Sequence, residues 1–192
     1  MSSLKANFDE LRQRVRQGRE LGHAGFEPVY YLVFPPSSII EAKRQTPAWI
    51  SRLRQDGWVV SEFSMAQAVD DLIAGNPRHA IWAGADARAP LDWVRMNSSL
   101  TTAVANEHKG LLNRLQAQLT SVEGKPHSLL LVTDLEALHP YVRIGAIEGQ
   151  LLGRFTVPTV FLYPGVRTGR TGLKFLGFYP SDGNYRSVHV GG

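Results

Sequence analysis

The chain has 192 residues, 43% of them apolar and 20% charged, an ordinary globular composition with enough length to bury a substantial core. It contains no cysteine, which excludes disulfides, thiolate metal sites and a cysteine nucleophile and fits a cytosolic setting. A net charge of +4 permits nucleic-acid contact without requiring it, and no helix-turn-helix or other reader motif accompanies the charge.

The opening segment is polar and amphipathic rather than signal-like, and no apolar stretch reaches bilayer-spanning length, so the expectation is a soluble cytoplasmic protein with no membrane partner. Phe8, Leu11 and Val15 recur on one face of a predicted helix over 8–20, while Arg12, Arg14, Arg16 and Arg19 crowd its polar side. Tyr30–Phe34 is a continuous apolar run, as in a strand buried on both faces, and Pro35-Pro36 ends it. Ser37-Ser38 can cap a second helix carrying Trp49, Ile50 and Leu53, with a break expected at Pro47. Asp56-Gly57 marks a turn before a strand over Trp58–Phe63. Ser64 with Gln67 then makes a capping-box pattern for a helix that Asn76-Pro77 stops.

His79–Ala83 is compatible with either a strand or a helix start. Leu100, Val104, Leu111, Leu115 and Leu119 fall at helical spacing and predict one long helix over much of 90–120. Beyond the polar loop Ser121–His127, the strand runs Leu129–Val132 and Val157–Tyr163 bracket a helix around Ile144–Leu152. A crossover of that length between strands makes a βαβ unit and a parallel sheet. Thr133-Asp134 and Pro164-Gly165 are expected to stop these strands. A final strand over Leu173–Tyr179 follows a turn short enough to make a hairpin, with Gly165, Gly169 and Gly172 supplying backbone freedom. With no repeats and no convincing boundary, residues 1–192 are expected to form a single three-layer α/β domain, a mainly parallel sheet flanked by helices with a C-terminal hairpin strand.

Chemical motifs are scarce. The segment from Gly165 through Arg167, Gly169, Arg170 and Thr171 is a tempting phosphate cradle. Its glycine spacing is one short of a P-loop, arginine replaces lysine, and a strand pattern follows instead of a helix. His139 and Asp134 suggest a base and its orienter beyond a strand end, but the six histidines are scattered, and a structural histidine with a capping Asp134 is the simpler reading. Ser64, Ser128 and Ser187 lie in no nucleophile elbow. The four tryptophans, Trp49, Trp58, Trp82 and Trp93, are expected in or half in the core. Asp182-Gly183-Asn184-Tyr185-Arg186 is a turn whose Tyr185 and Arg186, together with Tyr141, Arg143 and Tyr163, supply the residue types of an interface patch.

The run LHPYVRIGAIEGQLLGRFTVPTVFLYPG, followed by LKFLGFYPSDGNYRS, resembles the C-terminal signature of the BrxB family of BREX phage-defence systems. The resemblance implies a cytoplasmic antiviral component, and the small size and lack of catalytic machinery make a non-enzymatic one, without a cofactor or metal, the expectation. It would work beside a PglX-type methyltransferase, a BrxC-type ATPase and a PglZ-type alkaline-phosphatase-like protein. An adaptor or assembly factor is expected, with a PglZ-like protein as the partner, the residues of the patch as the contact, and any DNA association indirect. A homodimer stays open. The alternative is a nucleotide- or nucleic-acid-binding protein of degenerate P-loop-like architecture using the Arg167–Thr171 turn; a hydrolase built on His139 and Asp134 is a third reading.

Overall fold

Successive residues of a strand point to opposite faces of its sheet, and in β1 (Val29–Phe34) both sets are buried. In this computed structural model, which describes residues 3–20, 27–169, 172–183 and 187–192, Val29, Tyr31 and Val33 enter one core while Tyr30, Leu32 and Phe34 enter another. In chain order the elements are α1 (Leu4–Glu20), β1, α2 (Ile39–Gln55), β2 (Val59–Ser64), α3 (Met65–Ala74), α4 (His79–Arg88), α5 (Trp93–Val104) and α6 (Leu111–Val122). There follow β3 (Ser128–Thr133), α7 (Ile144–Gln150), β4 (Thr159–Thr168), β5 (Gly172–Phe175), β6 (Ser181–Gly183) and β7 (Val188–Gly191).

The sheet runs β2-β3-β4-β1-β7, all neighbours parallel, and β5 and β6 add an antiparallel extension to β4. α1 and α2 cover one face through Phe8, Leu11, Val15, Ala42, Trp49 and Leu53. α3, α6 and α7 cover the other through Met65, Val69, Leu115, Leu119 and Ile147. This is an α/β architecture with helices on both faces of a mainly parallel sheet, as the strand and helix periodicities predict.

Several local expectations are corrected. Pro47 does not break α2, because Ala42, Thr46, Trp49 and Leu53 are all buried against the sheet, which outweighs the one helical bond that proline removes. Neither does Ser38 supply a side-chain cap to α2. His79–Ala83 is helical. The long helix over 90–120 is two helices, α5 and α6; between them Asn106 folds back so that its side-chain oxygen accepts the amides of His108 and Lys109, at 3.0 and 2.9 Å.

Pro164-Gly165 does not end β4. Pro164 occupies the last parallel rung opposite Phe34, and its carbonyl accepts the Leu176 amide at 2.9 Å; the strand then changes partner and pairs with β5. Only glycine fits at 165, where a Cβ would collide with the Tyr163 ring and the Lys174 carbonyl. The hairpin is present, but β5 ends at Phe175 rather than Tyr179. The last strand of the chain is β7, parallel to β1 and absent from the sequence reading. Trp49 and Trp58 are core residues and Trp82 is half-buried, whereas Trp93 stands 66% exposed.

Candidate functional site

Where β5 stops, Leu176 and Gly177 both take left-handed backbone, with φ of 51° and 76°. These two residues swing the next pair out of the sheet, and the Tyr179 amide returns to the Phe175 carbonyl at 3.2 Å to fix the turn. Phe178 is thereby presented to solvent, 62% exposed, with its ring stacked on Tyr179 at 4.7 Å. Tyr179 hydrogen-bonds through its hydroxyl to His139 Nδ1 at 2.5 Å, and the His139 ring lies edge-on to both aromatics.

The exposed rings are tied to the interior by a continuous series of ring contacts. From Tyr179 it passes to Phe175 at 5.6 Å, to Tyr163 at 5.6 Å, to Tyr31 at 5.5 Å and to Phe161 at 5.1 Å, at the centre of the sheet. Aromatic pairs at these separations are mutually attractive, so Phe178 is held rather than loose. His139 is the structural histidine expected from the sequence in one respect, since its partner is Tyr179 and not Asp134. Its place beside an exposed aromatic pair was not foreseen. Gly177 is the sequence signal for this turn, hidden within the apolar run that predicts a strand over Leu173–Tyr179.

Of the residues predicted for an interface patch, Tyr163 is fully buried, so its ring is a support and not an anchor. Burial raises its hydroxyl pKa, the Asp182 charge raises it further and Arg143 opposes them. Arg143 donates to Asp182 Oδ1 at 3.0 Å, and both remain part-exposed. Tyr141, two residues earlier, is half-buried on the same core. Tyr185 and Arg186 lie outside the described residues. Three residues of the phosphate alternative are among the described residues. Gly165 is within the ladder, Arg167 donates to the Gly191 carbonyl at 3.3 Å, and Gly169 is at the exposed hairpin tip. Arg170 and Thr171 are outside the described residues.

A concavity lies at the carboxyl ends of β1 and β3, where open α/β sheets place ligands. It is a cavity of about 570 Å³ lined by Phe34 and Leu162 below, by Lys43, Pro47 and Ile50 of α2, and by Asp134 and Glu136. Asp134 has left-handed backbone and makes no helix-cap bond, which corrects its expected role. Instead its carboxylate accepts from Ser64 Oγ at 2.7 Å and Thr133 Oγ1 at 3.1 Å and pairs with Lys43 Nζ at 2.8 Å. Lys43 also reaches Glu136 at 2.7 Å. Ser64 Oγ meanwhile accepts the Gln67 amide, completing the cap of α3 foreseen in the sequence. Burial works to raise the Asp134 pKa, but the hydrogen bonds from Lys43 and Ser64 outweigh it and leave it depressed. Burial likewise works to lower that of Lys43, and its two carboxylates outweigh this. Both groups therefore hold their charge at neutral pH, and the network ties α2 to the end of β3.

A buried carboxylate also escaped the sequence reading. Glu148 of α7 is 6% exposed and accepts a hydrogen bond from the Tyr31 hydroxyl. Its spacing from Ile144, Ile147 and Leu151 puts it on the apolar face, a signal visible in the sequence. Among the described residues no group of His, Asp or Glu is arranged to hold a metal ion, and no helix is long and apolar enough to cross a membrane.

No curated protein and no solved structure matches the chain. A family model described as BREX protein BrxB matches residues 92–190, a segment that runs from the start of α5 into β7 and includes the whole aromatic series from Tyr163 to Phe178. The match covers just over half of the 192 residues, and the chain belongs to the BrxB family, the family of a BREX system component.

Proposed function

We propose that this protein is a non-enzymatic adaptor in BREX antiphage defence, docking a second BREX protein, a PglZ-like one, on the surface around Phe178. The observation that carries the reading is the series of ring contacts running from Phe161 in the sheet to the exposed Phe178. An exposed aromatic that is already ordered loses little conformational freedom on binding, which is what a contact needs to become an energetic anchor. His139 lies edge-on to Phe178, and in this reading the Arg143–Asp182 pair and the half-buried Tyr141 add polar and aromatic groups to the contact; Tyr185 and Arg186 join it on their residue types alone.

Co-purification of the tagged chain with its PglZ-like neighbour tests the proposal. The wild type is expected to hold the partner, and Phe178→Ala to release it while keeping the wild-type unfolding midpoint, because the ring is largely outside the core. A folded Phe178→Ala variant that retains the partner undiminished, or a wild type that never captures it, would overturn the reading.

A further inference from the structure

The pair α4 and α5 stands apart from the rest of the fold in how little it buries. α4 has no buried residue, and α5 has only Val104, at its C-terminal end. Ile81, Leu91, Trp93 and Val94 are all more than 60% exposed. A ten-residue helix has marginal stability in water without an apolar face covered by something, and the sheet does not cover this one. Exposed apolar side chains on two neighbouring helices are the kind of surface that marks an interaction site.

Between the two helices lies a groove of about 440 Å³, with Ile81, Trp82, Ala85 and Met96 forming apolar walls and Arg78 and Arg95 beside them. It continues along α5 past Ser99 and Thr102 to Asn106, as a further cavity of about 320 Å³ that shares Arg78 and Trp82 with the first. Along α5 this corresponds to a path of roughly 20 Å, the length of three to four helical turns. The charge of the groove has one sign to spare. Neither the Arg78 nor the Arg95 guanidinium makes an ion pair or hydrogen bond among the described residues, whereas Asp92, the acid of the groove, caps α5 by accepting the Arg95 amide.

We propose that the α4–α5 groove is a docking site for an acidic amphipathic helix of a partner protein. The apolar walls take the guest's residues at i, i+3, i+4 and i+7, and Arg78 and Arg95 pair with carboxylates on its flanks. A second copy of this chain fits less well, since a symmetric contact through the groove would bring the unpaired arginines of both copies together. Nucleic acid fits less well too, because the walls are apolar and Asp86 and Asp92 lie on the same two helices. The site shares no residue with the aromatic surface and holds whether or not that surface binds a PglZ-like protein.

The test uses the full chain and a fluorescein-labelled peptide of about sixteen residues, with leucines at helical spacing and glutamates elsewhere. Controls are the same composition scrambled, the same pattern with lysine for glutamate, and a labelled DNA duplex. Fluorescence anisotropy is expected to show saturable binding of the patterned acidic peptide, at least about tenfold tighter than the scrambled or lysine forms. The Arg78→Glu/Arg95→Glu variant is expected to lose about tenfold with an unchanged circular-dichroism spectrum. No binding at peptide concentrations up to about 1 mM, equal binding of the scrambled peptide, indifference to the charge reversal, or preferential binding of the duplex would each overturn the assignment. Loss of the PglZ-like partner from Phe178→Ala leaves this assay unaffected, so failure of one proposal is distinguishable from failure of the other.

Discussion

The centre of the sheet and the α4–α5 pair are built on opposite terms. In β1, β3 and the first seven residues of β4 every side chain is buried, and each alternate residue can be assigned to one of two cores. In α4 none is buried. Residue choice in the first region follows from packing alone, whereas packing within this chain gives no reason for Ile81, Leu91, Trp93 or Val94 to be apolar. The difference teaches that function is to be sought where the fold leaves apolar side chains unexplained. The surface at Phe178 has a foot in both regions, exposed at its tip and rooted in the core.

The sharpest way to break this contrast is to truncate in each region and compare stabilities. Phe161→Ala, which removes a fully buried ring stacked on Tyr31, is expected to cost about 3–5 kcal/mol in urea unfolding. A loss below about 1 kcal/mol would mean that the sheet centre is not the core described here. Asp134→Ala comes next, at about 2 kcal/mol, since it removes a residue tolerant of left-handed backbone and the acceptor of three contacts. Asp134→Asn keeps the backbone preference, so its smaller loss would apportion the effect between backbone and charge.

The junction of β7 with β1 is expected to be sensitive to acid. Burial, and after it the charge of Arg167, pushes the His189 pKa down to about 4 from an ordinary 6.5. Between those values the unfolded chain binds a proton that the folded chain does not. The stability is therefore fully present above about pH 6.5 and is lost on acidification toward pH 4. Because the ring is only partly buried, screening holds the effect to about 1 kcal/mol, and His189→Gln should flatten the pH profile of the thermal midpoint across that window. The smallest change is expected in the helical pair, where Ile81→Ser and Trp93→Ser should each stay within about 0.5 kcal/mol of wild type. A larger loss would show that the pair is part of the core after all.

Much of the fold was legible because it depends on periodicity. The all-apolar run Tyr30–Phe34 specified a strand buried on both faces, and Phe8, Leu11 and Val15 specified the buried side of α1; all are as read. The errors fall where long-range packing overrides a local rule. Pro47 stays helical under the burial of its neighbours, Pro164-Gly165 passes through a change of strand partner, and β7 is too short and too rich in glycine and histidine to announce itself. The site was legible in part. Arg143 pairs with Asp182, but Tyr163 is internal, and the exposed ring is Phe178, whose position depends on two consecutive left-handed residues that no spacing rule identifies.

The adaptor reading is tested most directly by hydrogen–deuterium exchange of the chain alone and in complex with its PglZ-like neighbour. The account predicts new protection at residues 139–143 and 176–179, with the strands of the sheet unchanged. Protection confined to the exposed tip of the β4–β5 hairpin, or none at all in a complex that forms, would contradict it.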